Sequence, residues 1–201
     1  MEKLWKRLFN AKLTGTTTVP KNSTLTADSG STFNLNGTVG IGGTTLAATG
    51  AEINRSADAS GRIVTTTATA LSLTVTEHGE RIVLVNSNST VANTFTLPLA
   101  TGTGVKMTIV NNIAQTQGSV VVAANGTTNT LNGKAYIVSS TEEAAICAFT
   151  SASSDKITMN KTTTGGLGGD IVEAWDVATG VWLVNVTLNG NGAVATPFSE
   201  S

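Results

Sequence analysis

DIVEAWDVATGVWLVNVTLNG, residues 170–190, holds two runs of alternation around one turn. Trp182, Val184, Val186 and Leu188 recur at every second position, and so do the apolar residues between Ile171 and Val177. A period of two places successive side chains on opposite faces of a strand, and Thr179-Gly180 supplies the turn between the runs. In the first run Asp170 and Asp176 share one parity while Glu173 points the other way.

Working outward, the same alternation recurs at Leu71/Leu73/Val75, Ile82 to Val85, Val105 to Val110, Val120 to Ala123, Ala135 to Val138, Ala144 to Phe149 and Ile157/Met159. Turn chemistry separates these runs: His78-Gly79, Thr101-Gly102-Thr103-Gly104, Asn125-Gly126 and Asn132-Gly133. About nine short strands at close spacing, with no strand–helix–strand unit, predict an all-β domain over residues 62–201, an antiparallel β-sandwich or barrel.

Residues 1–61 read differently, as an arm for attachment and oligomerisation. In MEKLWKRLFNAKL, residues 1–13, Leu4, Trp5, Leu8 and Phe9 share one helical face, with Lys3, Lys6 and Arg7 largely opposite. This predicts a short amphipathic helix that attaches to a surface or packs on its own domain. Residues 14–46 are rich in Thr, Gly, Asn and Ser and cannot close a core alone. Within them Phe33, Leu35, Val39 and Ile41 alternate, but a tight hairpin at Asn36-Gly37 would send Val39 and Ile41 to the face opposite Phe33 and Leu35. A wider turn keeps all four inward. So do single strands given to an intertwined, multi-chain sheet, which makes these four residues candidate oligomerisation contacts. Thr49-Gly50-Ala51-Glu52 has the form of a capping box and predicts a short helix over 50–58.

Composition narrows the function. The chain has 201 residues, of which 12% are charged and 40% hydrophobic, with a net charge of −1. That is too apolar for disorder and too neutral to attract nucleic acid as a whole, and no stretch approaches the roughly 18 uninterrupted apolar residues of a membrane helix. The basic start is broken by Asn10 and Lys12 before any signal-peptide core can form, which predicts a product made in the cytoplasm. The net charge hides an asymmetry: residues 1–21 carry Lys3, Lys6, Arg7, Lys12 and Lys21 against Glu2, a net of +4, which leaves −5 on the remainder.

One histidine and one cysteine supply neither a disulfide framework nor a Cys/His zinc site within one chain, so no cofactor, metal or catalytic residue is expected. TTTGGLGGD at 162–170 lacks the Gly-Lys-Ser/Thr of a phosphate loop and leads into a strand, so it reads as a flexible or inter-subunit loop. His78 reads as an exposed turn residue, and Cys147, in AAICAF, as inert packing. Asp155, Asp170, Glu173 and Asp176 lie close in sequence, as a glycosidase pair or a calcium site would, but acids on exposed strand faces are the commoner case.

Three segments resemble small virion proteins of tailed bacteriophages, of the kind found as capsid decoration (cement) proteins or as head and tail fibres. They are GTTLAATGAEINRSADASGRIV at 43–64, TLPLATGTG at 96–104, and NKTTTGGLGGDIVEAWDVATGVWLV at 160–184 followed by ATPFS at 195–199. The resemblance implies an all-β structural protein, a homotrimer rather than an enzyme, whose N-terminal part attaches to the virion. The major capsid protein would be its partner, with no nucleic acid and no membrane. The absence of a long repeat array departs from long fibres and favours a compact cement protein or knob. The fibre reading would put a host surface glycan against Trp175 or Trp182.

Overall fold

A computed structural model describes residues 40–41, 44–45 and 60–200, residue 127 excepted. The chain divides into two units, Met1–Ala48 and Thr49–Ser201. In the first, strands β1 (Gly40–Ile41) and β2 (Thr44–Thr45) pair antiparallel with Ile41 opposite Thr44.

The second unit is built almost entirely of strands. After a 3-10 turn at Ser60–Arg62, the chain runs through β3 (Ile63–Thr66), β4 (Ala70–Ser72), helix α1 (Val75–His78), β5 (Ile82–Val85), β6 (Asn93–Thr96), β7 (Lys106–Asn111) and β8 (Val120–Ala123). It continues through β9 (Thr130–Ser139), β10 (Ala145–Phe149), β11 (Lys156–Met159), β12 (Asp170–Ala178), β13 (Val181–Gly190) and β14 (Phe198–Ser199). Among the described residues these form a seven-stranded sheet in the order β10-β9-β13-β12-β7-β5-β3 and a five-stranded sheet in the order β14-β11-β8-β6-β4.

One core lies between the two sheets. Register aligns Ala148, Ala135, Val186, Val172, Ile109 and Val83 in a row across the large sheet. Phe198, Ile157, Val122, Phe95 and Leu71 make the matching row across the small one. Burying each large apolar side chain is worth roughly 1.5–3 kcal/mol, so these rows dominate the stability of the unit. Trp182 is wholly buried, and its indole N–H donates to the Pro98 carbonyl at 3.1 Å, which satisfies the only polar atom that its ring brings into the core.

The expected all-β class holds, but the pairing is mixed rather than antiparallel throughout. From β3 to β8 successive strands alternate between the sheets, so β3, β5 and β7 pair in parallel in one sheet, and β4, β6 and β8 in the other. Parallel neighbours need a crossover connection, usually a helix. Here a strand of the opposite sheet serves as that crossover, and the chain coils. The second half, β10 to β14, returns to antiparallel pairing except where β9 lies parallel to β13. The sheets are open at both edges, which makes the unit a sandwich and not a barrel.

Side-chain amides hold the corners where the coil changes sheets. Ser87 Oγ donates to Asn93 Oδ1 at 2.9 Å, and Gln115 Nε2 donates to the Ser87 carbonyl at 2.8 Å and to Asn111 Oδ1 at 3.1 Å. All four residues are buried, so the network replaces the water that these polar groups give up. Val75, expected in a strand with Leu71 and Leu73, instead begins α1. Thr74-Val75-Thr76-Glu77 is itself a capping sequence, and the Thr74 hydroxyl oxygen accepts from the Glu77 amide at 3.2 Å.

Candidate interaction face

Asp170 and Asp176 stand near opposite ends of β12. Strand β12 rises about 3.3 Å per residue, which separates Asp170 from Asp176 by roughly 20 Å, twice or more the spacing of a glycosidase pair. Both aspartates are buried on the core side, contrary to the exposed position expected of them, and each has a structural task. Asp176 is held by the Thr101–Gly104 loop. Its Oδ1 accepts from the amides of Thr101 and Gly102 at 2.9 and 2.7 Å, and its Oδ2 accepts from the Thr103 amide at 3.1 Å and the Thr103 hydroxyl at 2.8 Å. Gly102, at φ +80°, takes the left-handed conformation that lets consecutive amides point at one carboxylate. Burial pushes the Asp176 carboxyl up, but those donors together hold it below the usual carboxylate range.

Asp170 anchors the glycine-rich loop that precedes β12. It accepts from the Asn189 amide at 2.6 Å and from the Gly166 amide. Burial dominates and pushes its carboxyl up to about 6, against the lowering effect of those amides and of the Asn189 side chain. The loop is well bonded elsewhere as well: Asn160 Oδ1 accepts from the amides of Thr162 and Thr164, and the Gln115 amide donates to the Gly166 carbonyl at 2.7 Å. These bonds hold a run that the sequence leaves open as a flexible or an inter-subunit loop. The loop leads into a strand, without the helix N-terminus that a phosphate loop requires.

His78 is buried, not exposed, because it closes α1 against its own cap: the Thr74 amide donates to Nδ1 at 3.0 Å. Cys147 shows the reverse. It is exposed, because in β10 it takes the parity opposite to buried Ala148. No group of three or more His, Cys, Asp or Glu among the described residues is placed to hold a metal ion.

The outer faces of the two sheets differ sharply. On the small sheet, register places Ser199, Lys156, Thr96 and Ser72 in one outward row, with buried Ala123 among them and Thr158, Val121, Thr94 and Ala70 beside it. That is an ordinary hydroxyl-rich surface. On the large sheet one outward row runs from Ile63 and Ile82 through Thr108, Glu173 and Asn185 to Lys134 and Phe149. The next row joins Leu84, Val110, Ile171, Thr187, Tyr136 and Cys147. Phe149 is 70% exposed and Ile63 54%, and Tyr136, Val138 and Leu183 are about half exposed.

Charged side chains on this face have partners within it. Lys106 Nζ donates to Glu173 Oε1 at 2.5 Å and stands 5.0 Å from the centroid of the Trp175 ring. Hydrogen bonding to Lys106 holds the Glu173 carboxyl below its ordinary value. Lys134 Nζ lies 5.4 Å from the ring of Tyr136. Of the two tryptophans offered for glycan stacking, Trp182 is sealed in the core and Trp175 is half-buried beneath Lys106.

This face leaves a signal in the sequence that alternation alone does not show. Ile82-Val-Leu-Val, Ala135-Tyr-Ile-Val and Ala145-Ile-Cys-Ala-Phe are apolar at both parities, the pattern of strands covered on both sides. Of the expected oligomerisation residues, Ile41 lies in β1, whereas Phe33, Leu35 and Val39 lie outside the described residues. So do the attachment residues Leu4, Trp5, Leu8 and Phe9 and the capped helix at 50–58. No protein-family model, curated protein or solved structure matches the chain.

Proposed function

We propose that the chain is a tailed-bacteriophage capsid decoration (cement) protein that binds the outer shell as an oligomer and clamps neighbouring subunits of the major capsid protein. It is made in the host cytoplasm and resides on the virion. The observation that carries this reading is the contrast between the two outer faces of the sandwich, one hydroxyl-rich and one studded with exposed Ile, Val, Phe and Tyr. A chain meant to stay alone in water has little use for the second face, whereas a component of an assembly does. The role we propose is structural: Asp170 and Asp176, offered for a hydrolase, are instead committed to holding loops.

In this account the basic N-terminal arm attaches and the acidic body faces outward, with Leu4, Trp5, Leu8 and Phe9 filling grooves on the shell. A single arm of this length binds marginally, but several arms on one oligomer bind tightly through effective concentration. Binding of the full chain to purified heads, compared with a chain lacking residues 1–13, tests this. The full chain saturates the heads and the truncated one does not; a truncated chain that still saturates them contradicts the arm assignment. The fibre reading, with a host glycan on the large-sheet face, keeps only the partly covered Trp175 in its favour.

A further inference from the structure

We infer that the outer face of the seven-stranded sheet is where copies of this chain pack on one another. The inference rests on the multi-copy part of the reading above and does not require a shell.

Four observations lead to a second copy as the occupant. The first is shape: a sheet face is matched best by another sheet face, packed about 10 Å away with its side chains interleaved. The second is size. Six inter-strand spacings of about 4.8 Å by some 20 Å along the strands give a face on the order of 600 Å², and an ordinary stable interface buries about 800 Å² of accessible surface per partner. The third is charge. On this face Lys106 and Glu173 neutralise each other within hydrogen-bonding distance, so it carries little charge to repel a copy. Lys134 beside Tyr136 is the remaining charge in these rows, too little to attract nucleic acid or an anionic membrane. The fourth is reach. Exposed apolar residues run from one edge strand of the sheet, β3 with Ile63, to the other, β10 with Phe149, so one copy can engage another along the full width.

Sedimentation equilibrium of the full chain over a range of concentrations tests this, together with an Ile82→Glu/Val138→Glu double variant and a Thr94→Glu control on the small sheet. The expected result is a mass that is a multiple of the chain mass for the unaltered protein and the control, and a single-chain mass for the double variant with its β-sheet circular dichroism intact. A single-chain mass for the unaltered protein at micromolar concentration overturns the inference, and so does an oligomer that survives the double substitution. The natural thiol gives a readout that needs no variant. Cys147 lies in the face, so its alkylation by a maleimide should slow at least tenfold as concentration carries the protein through assembly; a rate independent of concentration overturns the inference. Heads that bind a single-chain protein would refute this inference and the oligomeric part of the cement reading, and leave only its shell-binding part standing. An assembled protein that ignores heads would do the reverse.

Discussion

At the scale of single residues, the side chains that look most chemical are structural. Replacing Asp176 with Ala leaves the amides of Thr101, Gly102 and Thr103 without their acceptor. Each unpaired donor costs about 1–3 kcal/mol, so Asp176→Ala should lower the stability by roughly 3 kcal/mol or more in urea unfolding. Asp170 acts in the opposite sense with pH. Its folded value of about 6 lies above the ordinary 3.8, so the native state holds the proton more tightly than the unfolded chain. Its contribution to stability is therefore greatest in acid, falls as pH rises between those two values, and is level above them. That shift corresponds to about 3 kcal/mol. The difference in stability between the unaltered protein and Asp170→Asn should change by that order between pH 3 and pH 7, with the change confined to that window; a flat difference would contradict the assignment. Asp176 and Glu173, both lowered, act at more acid pH and with the opposite sign. The burial of Trp182 was legible in the sequence because its whole run alternates cleanly. The burial of Asp170 and Asp176 was not: their parity partners are the modest Val172 and Ala174, while the bulkier Ile171, Trp175 and Val177 face outward.

At the scale of elements, the sequence shows where most strands are and conceals how they pair. Alternation reports that a strand has two unlike faces, and it is the same whether the neighbour runs parallel or antiparallel. The short strands β3, β6 and β14 escaped notice because Thr, Asn and Ser fill them, leaving too few apolar positions to mark a period. Parallel pairing of β3 with β5 aligns Thr65 with Leu84. In a Cys147→Ser background, Thr65→Cys with Leu84→Cys should therefore form an intramolecular disulfide in high yield on mild oxidation, since paired positions fall within the Cα separation that such a bond requires. An antiparallel arrangement of the two strands would not produce it. The parallel contact of β9 with β13 depends on Gly133, where a Cβ would lie 1.9 Å from the Val184 carbonyl oxygen. Gly133→Ala should destabilise the unit by roughly 3 kcal/mol, measured as a lower urea midpoint with an unchanged slope.

At the scale of the whole molecule, the account turns on the unlike outer faces of one sandwich. The large sheet has a buried inner face and an outer face on which exposed Ile63, Ile82, Tyr136, Val138, Phe149, Ile171 and Leu183 stand among polar residues, while the small sheet has one buried and one hydroxyl-rich face. The low charge of the chain fits this arrangement, because a component present in many copies avoids self-repulsion when Thr, Asn and Ser supply its polarity. The most direct test of the central claim is a reconstruction of the assembled protein, alone or on a virion, that resolves the strands. The account predicts that the outer face with Ile82, Tyr136 and Phe149 is buried against another copy of the chain while Thr94, Thr96 and Thr158 face solvent. An assembly in which the small sheet forms the contact and the large-sheet face stays open to water would contradict it.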